Sequence, residues 1–236
     1  MQKNFLVYTP FRCGSSFLTR LVGKNLNKKA IFVNQLPSLN LSDDSSGLIF
    51  KGHNDNIAYL KNIKIDYIIT SIRRPTEIFY SSFFKDINNP NCPYYFRGYV
   101  HENNLEYMLE HFLQQPWESY EWLSYDFNFQ KIKELTGINL WEYDTTDYRG
   151  YKIIENEPKI ILINHSAIKN NYEQIKNLFQ TELHFQNLDM SRFSFRNSDV
   201  FGDLYYKFIK SIPSSFYEKY KHLDEKIMLK FYKILT

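Results

Sequence analysis

Short apolar runs alternate along the chain with polar stretches rich in glycine, proline and serine, and the period of the apolar positions changes from one run to the next. Phe5, Leu6, Val7 and Tyr8 make a run of strand length. Residues 9–15 then supply Pro, Arg, Cys, Gly and Ser, a composition suited to a tight turn. From Ser16 the period becomes helical, with Phe17, Leu18, Leu21, Val22 and Leu26 on recurring positions. Residues 3–20 therefore read as strand, small-residue loop, helix. A second short strand is predicted at 30–33, a polar connection at 36–47, a third strand at 48–51 and a short helix at 57–62. The run at 66–72 (DYIITSI) is nearly continuous in apolar residues and suits a strand buried on both faces. Pro75 fits the first position of the next helix, where its missing N–H costs nothing. That helix, to about Asp86, places Ile78, Phe79 and Phe83 on one side and Glu77, Ser81 and Lys85 on another.

Residues 88–98 read as an irregular loop and a candidate lid. The stretch 102–141 is mostly helical: Leu105, Met108, Leu109 and Phe112 form a stripe that Pro116 breaks, and a helix at 128–135 stops at Gly137 as a C-cap. Residues 143–156 look like a polar excursion or hairpin, 159–164 (KIILIN) like a fifth buried strand, and 167–179 like a helix. Residues 192–197 are basic and loop-like, and two helices at 202–212 and from 214 close the chain. Strands alternating with helices predict an α/β fold with a mainly parallel central sheet of about five strands. The simplest organisation is one domain over 1–236, with 88–156 as a helical and loop insertion.

Composition narrows the picture. A formal charge of +3 from scattered basic residues suits a small anionic ligand better than a nucleic-acid backbone. No apolar run approaches membrane-spanning length, and the first strand leaves little room for a signal peptide, so a cytoplasmic protein is expected, with peripheral membrane contact left open. Two cysteines, Cys13 and Cys92, make no disulfide scaffold, and the six histidines lack the spacing of metal ligands, so no metal is expected.

The candidate chemistry gathers at predicted strand ends, where open parallel sheets bind ligands. After the first strand, loop N–H groups and a helix N-terminus would converge on one spot suited to phosphate or sulfate. Arg12 adds a fixed positive charge there, and Gly14 lets the backbone approach closely. The loop lacks the Gly-Lys-Ser/Thr of a nucleotide-triphosphate P-loop, which counts against a kinase-like phosphotransferase. Lys51 and His53 flank the end of the third strand, and Arg73 ends the fourth, with Ser81 two helical turns on. Plainer alternatives stand beside each: a solvated Arg12, an Arg73 paired with Glu77, a Ser81 that merely packs, and a hydrogen-bonded loop His53. Glu118, Glu121 and Asp126 could orient a sugar or simply form a solvated helix face.

Taken together, these residues resemble the sulfotransferase superfamily that uses 3′-phosphoadenosine 5′-phosphosulfate. Its phosphosulfate loop P-K-S-G-T-T is matched by Pro10-Phe11-Arg12-Cys13-Gly14-Ser15-Ser16, with Arg12 in the lysine's place and Phe11 inserted. The K-T-H stretch is matched by Lys51-Gly52-His53, and the 3′-phosphate motif, an arginine with a serine eight positions on, by Arg73 and Ser81. Glu121-Trp122, Thr136-Gly137-Ile138, 150–156 and Gly202-Asp203-Leu204-Tyr205 are similar to a bacterial branch of capsular polysaccharide synthesis proteins. The resemblance implies a P-loop-like three-layer sandwich and transfer of a sulfuryl group to a hydroxyl of a surface polysaccharide or glycolipid sugar. It assigns His53 as general base and Arg12 and Lys51 to the developing charge. Arg12, Cys13, Gly14, Ser15, Ser16 and Phe17 would hold the phosphosulfate, and Arg73 and Ser81 the 3′-phosphate. Arg196 is a weak substitute for the family's C-terminal basic-glycine motif. Arg12 cannot give up a proton as a lysine can, which leaves room for a catalytically inactive capsule-pathway protein.

Overall fold

The computed structural model describes residues 3–10, 12–38, 47–52, 57–96, 102–143, 150–170, 172–186, 188 and 200–235. His53, Arg192 and Arg196, and the polar excursion at 144–149, lie outside them. The fold is α/β. Strands β1 (Phe5–Tyr8), β2 (Ile31–Phe32), β3 (Ile49–Gly52), β4 (Tyr67–Ile72), β5 (Tyr151–Ile154) and β6 (Lys159–Asn164) form a sheet in the order β2-β3-β1-β4-β6-β5. All neighbours are parallel except β5, which runs antiparallel to β6 with Tyr151 opposite Ile163 and Ile154 opposite Ile160. The described sheet thus has six strands where the apolar pattern predicts about five. The addition is an edge strand of four residues, its two inner positions only partly buried, so it carries no continuous apolar run.

Period-two alternation sends the strand residues into two cores. Leu6, Tyr8, Phe50, Ile68, Ile72, Ile160 and Leu162 face one. There they meet α2 (Pro75–Asp86), α3 (Leu105–Leu113), α4 (Tyr125–Thr136), α7 (Val200–Ser211) and α8 (Ser214–Leu235). Phe5, Val7, Ile49, Tyr67, Ile69, Ile161 and Ile163 face the other, with α1 (Ser15–Leu26), α5 (Ala167–Asn170) and α6 (Tyr172–Thr181). Ile78, Phe79 and Phe83 are buried on α2 as the helical period predicts, and each such side chain contributes about 1.5–3 kcal/mol of burial.

The middle of the chain belongs to the first core. Met108, Phe112, Trp117, Phe129 and Ile132 are buried in the same cluster as the strands. Tyr94, in the predicted lid, is itself buried and packs on Phe83 and Trp117. α4 begins earlier than its apolar period suggests, because Ser124 Oγ caps the Asp126 N–H at 3.1 Å. It ends as predicted at Gly137, whose φ of 77° lets its N–H reach Lys133 O at 2.7 Å.

The N-terminal edge of the sheet is tied by Asn4. Its N–H donates to Asp66 at 2.7 Å, its amide donates to Lys64 O at 2.8 Å, and its side-chain carbonyl accepts from the Leu48 N–H at 2.8 Å. The strands are thereby pinned at one end, which leaves the chemistry to the other. Among the described residues, no helix is long and apolar enough to cross a membrane.

Candidate functional site

β1, β3 and β4 lie side by side, so the loop at 9–14, Lys51 and Arg73 emerge at the same edge of the sheet. The loop takes positive φ twice, 63° at Arg12 and 85° at Gly14. Arg12 holds that left-handed backbone with a full side chain, whereas Gly14 holds it without a steric penalty. Gly14 is also hemmed in: a Cβ there would lie 3.2 Å from His165 Cδ2. Its carbonyl accepts from the Phe17 and Leu18 N–H groups at 3.0 and 3.1 Å, opening α1. α1 has no side-chain cap and no acidic residue in its first turn, so the positive end of its dipole is offset by neither.

Lys51 completes this corner. Its Nζ donates to Ser16 Oγ at 2.9 Å and lies 5.2 Å above the Phe32 ring. Burial lowers its pKa, and the positive charges of Arg12 and Arg20 lower it further. Lys51 and Ser16 are thus brought together two residues after Gly14. The Cys13 side chain is turned the other way. It is fully buried, its Sγ is 3.6 Å from the Tyr125 hydroxyl, and burial pushes the thiol up to about 12 despite that contact. The Cys13 carbonyl accepts from Ser71 Oγ.

Arg12 is not solvated. Its Nη2 donates to Asp86 at the end of α2, and its side chain is only 14% exposed. Arg73 pairs with Glu77 through Nε at 3.0 Å, the local alternative the sequence offers, and its Nη1 donates to Arg12 O at 3.1 Å. Burial opposes the Arg73 charge, but Glu77, Tyr205 and Cys13 together outweigh it and the pKa is raised. The Tyr205 hydroxyl, on α7, faces both Arg73 and Ser81. Burial raises the Tyr205 pKa, and those two contacts work against the rise.

Four residues absent from the sequence-based set shape this end of the sheet. Tyr125 donates to Arg73 O at 2.7 Å and accepts from the Arg73 N–H, which locks the end of β4. Ser71 fastens the loop to β4, and Tyr205 lies beside Arg73 and Ser81. His165 directly follows β6; its N–H donates to Ile72 O at 2.8 Å and its ring packs on Gly14. Burial, and then the charge of Arg73, push its imidazole down to about 3, so it stays neutral. His165 follows an apolar run just as Arg73 does, and that signal could have found it. Tyr125 and Tyr205 carry no comparable local mark.

At the neighbouring junction, the N-terminus of α2 is already filled. Asp224 of α8 accepts from the Thr76 N–H at 3.0 Å and from Thr76 Oγ1 at 2.6 Å. Burial raises the Asp224 pKa, against the pull of those two bonds. The site can therefore do one thing readily: offer a backbone cradle, a hydroxyl and an ammonium to an anion at the start of α1. No protein-family model matches the chain, and no curated protein is detectably similar to it in sequence.

Proposed function

We propose that the protein is a sulfotransferase that takes a sulfuryl group from 3′-phosphoadenosine 5′-phosphosulfate to a hydroxyl of a surface polysaccharide or glycolipid sugar. One observation carries the reading. At the start of α1 the Lys51 ammonium sits 2.9 Å from Ser16 Oγ beside Gly14, held below its ordinary pKa by burial, Arg12 and Arg20. Such a cluster of like charges is relieved by an anion of matching size. The residues fit a phosphosulfate at this point, and a P-loop-like sandwich is part of the same proposal. The strand order, which sets β1 between β3 and β4, supports it.

Bound there, the donor supplies the sulfuryl group and leaves as the 3′,5′-bisphosphate. Lys51, Ser16 and the loop N–H groups hold the 5′ end and stabilise charge that grows on the bridging oxygen. Arg12 acts as a fixed cation, since a guanidinium keeps its proton. Arg73, Ser81 and Tyr205 set the register at the 3′-phosphate, a positioning role. His53, next in sequence after β3, takes the acceptor's proton. Arg196 is retained as a proposed 3′-phosphate contact, and the helical middle as the wall of an acceptor pocket.

The pairing of both Arg12 and Arg73 with carboxylates favours a second reading, a catalytically inactive protein of the capsule pathway. A thermal-shift comparison tests the first. Stabilisation by 3′-phosphoadenosine 5′-phosphate that is indifferent to magnesium, with ATP ineffective, is the expected result. Magnesium-dependent stabilisation by ATP alone would reject it.

A further inference from the structure

A cavity of about 290 Å³ opens between α2, α4 and α8, on the far side of Tyr125 from the loop. Its volume lies at the small end of sites that hold organic ligands. The deep walls are aromatic: Trp117 and Tyr120 stand behind the lining at 1% and 9% exposure, stacked on Phe79 and Trp122, and the partly buried Trp141 is the ring left to face the space. The mouth is charged. Lys226 Nζ bonds both Asp126 carboxylate oxygens at 2.8 and 3.0 Å, and lies 4.7 Å above the Trp141 ring. Glu118, also lining the cavity, meets His222 Nε2 at 3.3 Å. These four polar side chains are each more than half exposed, so they stand in water and can exchange partners at little cost.

A purely apolar ligand would leave that mouth unused, and a nucleobase would want its donors and acceptors matched deep inside, where the walls are rings. A pyranose has the complementary shape. One face of the ring presents C–H groups for an aromatic wall, and its edge presents hydroxyls that a carboxylate accepts from and an ammonium donates to. Ser124, whose Oγ accepts from the Asp126 N–H at 3.1 Å, keeps its own proton to offer.

We propose that this cavity binds a saccharide unit, with its apolar face on Trp141 and its hydroxyls on Glu118, Asp126 and Lys226. The saccharide site stands on the cavity's own geometry. Tyr125 connects the two sites, because its ring lines the cavity while its hydroxyl holds Arg73 and faces Cys13.

The test uses the intact chain and a fixed panel of glucose, galactose, N-acetylglucosamine, glucuronic acid and lactose. Binding is read by saturation-transfer NMR and by tryptophan fluorescence, without nucleotide. At least one sugar should bind at millimolar concentration or better and receive saturation mainly on one ring face. Its affinity should fall about tenfold or more in Trp141→Ala, and severalfold in Asp126→Asn and Glu118→Gln. The last two variants alter exposed side chains and keep the test readable should Trp141→Ala unfold. Binding of no panel member, or unchanged affinity in both carboxylate variants, overturns the proposal. A lost sugar signal with the 3′-phosphoadenosine 5′-phosphate shift intact refutes this site alone. Sugar binding without that shift refutes the sulfotransferase reading and leaves the saccharide site standing.

Discussion

Two strand-to-helix junctions stand side by side at one edge of the sheet, and they have met the same electrostatic problem in opposite ways. Both β1–α1 and β4–α2 bring an arginine to a helix N-terminus. At α2 the chain supplies its own anions: Asp224 takes the Thr76 N–H, and Glu77 takes Arg73. At α1 the arginine is likewise paired, Arg12 with Asp86, but the helix itself is left bare: its first turn carries no acid, Gly14 offers no side-chain cap, and Lys51 arrives from β3 to add positive charge. Helix dipoles favour anions at both of these N-termini. Only the first junction leaves that place to a visitor. The lesson is that residue type and position do not make an anion site; what matters is whether the fold has already neutralised it.

The largest expected effect concerns chemistry. His53→Ala should lower turnover on the order of 100-fold while 3′-phosphoadenosine 5′-phosphate still binds by calorimetry; near-normal turnover would remove His53 as base. Next is the contrast between the junctions. Lys51→Met should weaken that nucleotide by about tenfold, and Arg73→Met by only a few-fold, because the 3′-phosphate must first displace Glu77. The reverse ranking would break the comparison. A pH series sharpens it further. Lys51 is lowered in the free protein and a bound phosphate raises it, so affinity should fall severalfold as pH rises through the lowered Lys51 value. Lys51→Arg should flatten that fall. The smallest effect is a gain: Glu77→Gln frees Arg73 and should tighten the bisphosphate by about threefold, with no gain for adenosine 5′-phosphosulfate, which lacks the 3′-phosphate.

What could be read in the sequence was local. The turn from β1 into α1, the buried run of β4, Pro75 at the start of α2 and the Arg73–Glu77 pair all depend on residues within a few positions of one another. The partners that decide the site's charge are distant. Asp86 is 74 residues from Arg12, Tyr125 is 52 from Arg73, and Asp224 is 148 from Thr76. No periodicity announces which carboxylate will arrive, since packing of α2 against α8 chooses it. β5 escapes the pattern for a related reason: a half-exposed edge strand needs neither a long apolar run nor strict alternation. His165 shows the opposite case, marked by its place after β6 but with a burial visible only in the fold.

The central claim is that an exogenous phosphosulfate sits at the start of α1, and a crystal structure with 3′-phosphoadenosine 5′-phosphate tests it most directly. The 5′-phosphate should lie within hydrogen-bond reach of Lys51 Nζ and Ser16 Oγ, and the 3′-phosphate on Arg73 with Glu77 displaced. A nucleotide bound elsewhere, or bound with no phosphate oxygen in reach of Lys51 Nζ, would contradict it.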